Sequence, residues 1–157
     1  SGTTFVENAI IKARNAAQHT QLPAIADDSG IEVDALHGAP GIHSARFAGA
    51  DADDAKNNAK LVALLRDVAP AERTARFRAV IVYLRHAADP APLIAEGVWE
   101  GVIQLQARGS NGFGYDPYFF LPDLGCTSAE LQPAEKNRLS HRGQALQALV
   151  DKLRKAG

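Results

Sequence analysis

A chain of 157 residues, 46% of them hydrophobic, carries enough apolar side chain to bury a sizeable core as one compact domain. With 17 basic and 18 acidic residues its formal net charge is −1, which argues against a general nucleic-acid binder, since phosphate contacts call for a basic excess. The single cysteine, Cys126, excludes an intrachain disulfide and is expected to pack; no apolar run is long enough to cross a bilayer, so no membrane partner and a cytoplasmic setting are the default expectation.

The pattern expected along the chain alternates helices and strands. Thr4 and Glu7 have capping-box spacing, and Val6, Ala9, Ile10, Ala13, Ala16 and Ala17 mark a helical stripe that ends before Pro23. Pro23, Ala24, Ile25 and Ala26 read as a short buried strand ended by a glycine turn at Gly30, with a second short strand from Ile31 to Leu36 pairing with it. Asp51, Asp53 and Asp54 crowd the start of a second helix, as helix-start charges rather than ligands. Leu61, Leu64, Leu65 and Val68 give that helix its buried stripe before Pro70.

A long strand is expected from Thr74 to Ala87, continuously apolar from Ala79 to Leu84 as in a central strand. After Asp89-Pro90-Ala91-Pro92, another runs from Leu93 to about Gln106, where Gly97 and Gly101 suggest bulges or bending. The two would form a long antiparallel hairpin. Tyr118 to Leu121 reads as a short strand, and Leu146, Leu149, Val150 and Leu153 line a closing helix whose last turn carries Lys152, Arg154 and Lys155. The expected fold is α/β: a long, bent mixed β-sheet flanked by helices.

Three polar segments interrupt this pattern. Asp27-Asp28-Ser29-Gly30 places two carboxylates and a hydroxyl at the end of an apolar segment, where a rigidly held acid can bind a hard cation or take a proton from water. Turn chemistry alone also accounts for these residue types. Gly109 to Pro117 packs glycines around Phe113 and Tyr115; glycines let backbone amides approach a ligand and an aromatic ring can stack on a planar base, while a bulged hairpin whose aromatics cover the core is the alternative. Glu135 to Gly143 gathers Lys136, Arg138, His141 and Arg142 just before and within the first turn of a helix, suited to a phosphate or base carbonyl, or simply a solvated basic face.

Taken with Thr4-Phe5-Val6-Glu7-Asn8-Ala9, Gly38-Ala39-Pro40-Gly41-Ile42-His43-Ser44-Ala45-Arg46 and Ser140-His141-Arg142-Gly143, these segments make the chain resemble the inosine triphosphate pyrophosphatase family, of the Ham1-like bacterial type, almost end to end. The resemblance implies two lobes with a nucleotide cleft, a homodimer, and Mg²⁺-dependent hydrolysis of ITP, dITP or XTP to the monophosphate and pyrophosphate. It makes Asp28 the proton acceptor and a metal ligand, with Asp27 supporting the metal. Ser29, Phe113, Gly114, Tyr115, Asp116, Lys136, His141 and Arg142 would bind the purine nucleoside triphosphate, Phe113 by stacking and the last two by donating to a 6-keto oxygen. Family members open with a Ser/Thr-x-Asn-x-x-Lys loop that grips the triphosphate; this chain starts after the position where that loop falls, so residues 1–157 are expected to be a single domain truncated at its N-terminus.

A nucleotide-binding module without turnover and a metal-dependent phosphomonoesterase are the competing functional readings. His19, His37 and His86 lack partners at ligand spacing and read as structural or surface residues. His43 lies in a family motif without a catalytic role, Arg46 is a phosphate or dimer contact, and Trp99 is a packing or dimer residue.

Overall fold

The computed structural model describes residues 2–156. Four α-helices, α1 (Phe5–Thr20), α2 (Asp54–Leu65), α3 (Pro133–Leu139) and α4 (His141–Ala156), accompany five strands: β1 (Ala24–Val33), β2 (Thr74–Leu84), β3 (Leu93–Ile103), β4 (Phe119–Leu121) and β5 (Cys126–Thr127). The strands form one sheet in the order β1-β2-β3-β4-β5. The described registers are antiparallel, Val102 opposite Phe120 and Phe120 opposite Thr127, in a sheet expected to be mixed. Sheet neighbours here are sequence neighbours, and the connections after β3 and β4, the first of which carries the Gly109–Pro117 loop, reverse the chain rather than cross it over.

Helix α1 begins as its capping spacing requires: the Thr4 hydroxyl accepts the Glu7 amide at 3.1 Å. Its buried face is a stripe of Phe5, Ala9, Ala13 and Ala17, each four residues from the next. Three small alanines let the helix lie close to what it covers. Asp53 caps α2, its carboxylate accepting the Lys56 amide at 2.8 Å, and Asp54 follows in the first turn. The face that α2 buries is Asn57, Asn58, Leu61 and Leu65, whereas Leu64 is exposed.

Three local expectations are corrected. First, Asp27-Asp28-Ser29-Gly30 is not a turn: β1 runs unbroken from Ala24 to Val33, Gly30 is buried within it, and Asp34–Leu36 is a short helical turn rather than more strand. Second, Gly97 and Gly101 mark close approaches. A β-carbon on Gly97 would lie 2.0 Å from the His141 carbonyl oxygen, and one on Gly101 2.6 Å from the Phe119 ring. Third, the closing basic segment divides into α3 and α4, with Ser140 between them accepting the Gly143 amide at 3.1 Å as a helix-starting cap. The buried face of α4 is accordingly His141, Ala145 and Leu149, and Leu146 is exposed.

The chain forms two compact units. One comprises the segment up to Ser29, Arg78–Val98, and the segment from Ser140; the other comprises Gly30–Phe77 and Trp99–Leu139. In the first, Ala79, Ile81, Ala95, Ala145 and Leu149 make the core, with Tyr83, Leu93 and Leu153 packed on it. In the second, Phe77, Trp99 and Phe119 form an aromatic cluster with ring centroids 4.5 to 6.5 Å apart, joined by Ile31, Val33, Leu61, Leu65 and Ile103. Trp99 is thus a packing residue, and Cys126 packs against the same cluster.

Candidate active site

In the first unit the site is built on β1. Because successive strand residues face opposite ways, Asp28 turns to one side and Asp27 and Ser29 to the other. Each side meets a cation from a helix. Lys12 of α1 donates to Asp28 Oδ1 at 3.0 Å and to the Asp27 carbonyl at 3.1 Å. Arg142 of α4 donates to Ser29 Oγ at 3.0 Å and lies 3.6 Å from Asp27 Oδ2.

The two carboxylates are differently placed. The Asp27 side chain is 51% exposed, while that of Asp28 is 16% exposed and its Oδ2 is buried with no hydrogen-bond partner among the described residues. A buried anionic oxygen left unpaired is costly, so its presence calls for a function. The α4 start that delivers His141 and Arg142 is pressed onto β3 through Gly97, and Gln144 Oε1 accepts the Val98 amide at 3.3 Å. His141 itself is buried.

In the second unit the loop Gly109–Pro117 is held from within. Asp116, 2% exposed, accepts the Phe113 amide at 3.0 Å and the Ser128 hydroxyl at 2.7 Å, and pairs with Lys136 Nζ. Gly112 is required here: its φ is +74°, and a β-carbon would stand 2.2 Å from Asp116 Oδ2. Tyr115 is buried and donates from its phenol to the Ser44 carbonyl at 2.5 Å; burial first, then the nearby Asp54 charge, raises the phenol's pKa and keeps it a donor. With its neighbours so anchored, Phe113 stands out at 62% exposure, and Lys136 Nζ lies 4.6 Å from its ring centre.

The expected site residues therefore fall into two groups: Asp27, Asp28, Ser29, His141 and Arg142 in the first unit, and Phe113, Gly114, Tyr115, Asp116 and Lys136 in the second. Lys136, expected beside His141 and Arg142 in one basic cluster, belongs to α3 and is paired with Asp116. Tyr115 and Asp116 hold the loop from its buried side. Lys12, which sequence reasoning missed, is the residue in contact with Asp28. Its signal was faint, a lone lysine on an otherwise ordinary helix face 16 residues upstream.

The chain matches the Ham1 family over residues 1–152. It belongs to that family. The Ham1-family relatives include the dITP/XTP pyrophosphatase of Thioalkalivibrio sulfidiphilus, 65% identical over 98% of this chain and 78% of its own, and that of Vibrio parahaemolyticus, 61% identical over 98% and 76%. A solved Ham1 structure from Coxiella burnetii superposes with a TM-score of 0.94 at 53% identity, covering 99% of this chain and 79% of that one. The Ham1 protein of Staphylococcus aureus gives 0.92 at 41% identity, covering 100% and 80%.

Proposed function

We propose that this Ham1-family chain is a nucleoside triphosphate pyrophosphatase that hydrolyses ITP, dITP and XTP between the α and β phosphates. The observation that carries the reading is Asp28, a mostly buried carboxylate with one oxygen on Lys12 and the other without a partner among the described residues, in a chain 65% and 61% identical to two relatives named dITP/XTP pyrophosphatase. Asp28 takes a proton from water, the water oxygen attacks the α-phosphorus, and pyrophosphate departs with the bridging oxygen. Lys12 and Arg142 supply positive charge beside the acids, where a triphosphate's charge needs neutralising.

The residues fit a divalent cation. Among the described residues Asp28 Oδ2 is a hard, anionic donor with no hydrogen-bond partner, and no group of three or more His, Cys, Asp or Glu side chains is placed to hold a metal, so Asp28 would hold Mg²⁺ together with phosphate oxygens of the nucleotide. The cation would neutralise phosphate charge and acidify water. Asp27, expected as a second ligand, supports the site through Arg142.

Phe113 is the platform on which the purine stacks, and Lys136 lies against the same ring. Donors from His141 and Arg142 would pair with a 6-keto oxygen and meet the amino group of adenine badly, which rejects adenine nucleotides. A homodimer in the cytoplasm completes the proposal, and sedimentation velocity tests the dimer. No helix among the described residues is long and apolar enough to cross a membrane.

The deciding experiment is incubation with Mg²⁺ and either dITP or dATP, followed by identification of the phosphate released. Pyrophosphate from dITP alone supports the proposal. Orthophosphate would indicate a phosphomonoesterase, and tight dITP binding without product would indicate a binding module.

A further inference from the structure

Two side chains of α2 that the proposed mechanism does not use grip the loop that carries Phe113. Asp54 Oδ2 accepts the amide of Gly114 at 2.9 Å, and Asn58 Nδ2 donates to the carbonyl of the same residue at 2.9 Å. Spaced four residues apart, the two side chains stand on one helix face, a turn from each other. Between them they take both backbone polar groups of a single residue.

Gly114 needs such a grip. Its φ is +60°, and nothing lies within 4 Å of the position a β-carbon would occupy, so no side-chain packing holds the conformation. The hydrogen bonds to α2 do so, one residue beyond the ring of Phe113. Asp116 fixes the backbone amide of Phe113 itself, which leaves Gly114 as the second point that sets the direction of the Phe113 side chain.

A second observation separates this grip from ordinary packing. Asn58 is 7% exposed, and its Oδ1 is buried with no hydrogen-bond partner among the described residues. Leucine, bulkier but with the same branching and number of heavy atoms, would sit on the same buried face as Leu61 and Leu65 with no orphaned acceptor of its own. The asparagine is therefore unfavourable for the core, and what it provides is the bond to the Gly114 carbonyl.

We propose that Asp54 and Asn58 are positioning residues for base binding: α2 clamps Gly114 through both its N–H and its C=O and thereby fixes the angle at which Phe113 meets the purine. The proposal rests on the reading of Phe113 as the base platform. Helix α2 would then tune nucleotide affinity without touching phosphate or attacking water.

The test is steady-state kinetics of the purified protein with dITP and Mg²⁺, comparing Phe113→Ala, Asp54→Ala, Asp54→Asn and Asn58→Leu, with thermal unfolding of each. Asp54→Ala should raise KM about five- to tenfold, the loss expected for one charge-assisted hydrogen bond, while kcat moves less than about twofold. Asp54→Asn, whose amide oxygen still accepts from Gly114, should recover most of the wild-type KM. Asn58→Leu should raise KM about threefold or more while raising the unfolding midpoint, opposite directions that a purely structural role does not produce. If Asp54→Ala does not fold, Asn58→Leu carries the test alone. A raised KM in Phe113→Ala with an unchanged KM in the α2 variants, or no rescue by Asp54→Asn, overturns the clamp and leaves the base platform standing. An unchanged KM in Phe113→Ala overturns both.

Discussion

Removal of the Asp116 carboxylate is the most severe single change available to the glycine loop. In Asp116→Ala the Phe113 amide loses its acceptor at 3.0 Å, the fully buried Ser128 hydroxyl loses the shorter of its two bonds, at 2.7 Å, and keeps the Asp116 backbone carbonyl at 3.2 Å, and Lys136, with only 14% of its side chain exposed, keeps its charge without a counter-charge. Stranding one member of a buried ion pair costs about 3–5 kcal/mol, and the orphaned Phe113 amide lies within that same loss rather than adding fully to it. Lys136→Met should cost less, about 1–2 kcal/mol, because Asp116 retains two hydrogen-bond donors and the methionine still packs on the Phe113 ring. The double variant then leaves no stranded lysine, so the cycle should return a coupling energy of about 2 kcal/mol. Urea denaturation followed by tryptophan fluorescence is the assay, since Trp99 is the only tryptophan and lies in the core of the unit that holds the loop. Additivity of the two single changes to within about 0.5 kcal/mol would refute the claim that this pair holds the loop.

Asp28→Asn should lower kcat for dITP by at least about a hundredfold, since an amide accepts no proton, with the urea midpoint close to wild type; near-normal turnover would remove Asp28 from the mechanism. Gly97→Ala, which would force a β-carbon to within 2.0 Å of the His141 carbonyl, should destabilise by about 2 kcal/mol or more and displace the first turn of α4, seen as lost helical circular dichroism stability together with reduced turnover; a wild-type profile would show that α4 is not pressed onto this residue. Asp89 titrates at about 2, held down by the Arg85 amide, then the Ala91 amide and the Arg85 side chain. A carboxyl depressed on folding stabilises fully above its unfolded pKa and loses that contribution as pH falls through the folded value, so stability should decline between about pH 4 and pH 2. Asp89→Asn should flatten that part of a urea-midpoint profile, and an unaltered slope would exclude this carboxyl as a contributor.

Much of the architecture was legible in local pattern. The capping pair Thr4 and Glu7, the neighbouring strands β2 and β3 and the cap-forming Asp53 before α2 are all short-range signals, and each is found, although both strands end three residues sooner than expected. The misreadings share one cause. Asp27-Asp28-Ser29-Gly30 carries turn residues, yet it is strand because Lys12 and Arg142 neutralise its acids from opposite faces, a compensation invisible along the chain. Gly97 looked like a bulge for the same reason, since the backbone that crowds it belongs to a helix more than forty residues later.

By itself, the sequence determined the alternation of helices and strands, the family through its ordered motifs, and the residue types able to do phosphate chemistry. Only the tertiary structure decided which of two adjacent aspartates is the less exposed one, that Lys136 serves Asp116, and that Phe113 stands exposed while Tyr115 two residues on is buried. Helix and strand preferences are written over a few neighbouring residues. The partner of a charge and the burial of a ring depend on contacts between segments far apart in the chain, and these exist only once it has folded.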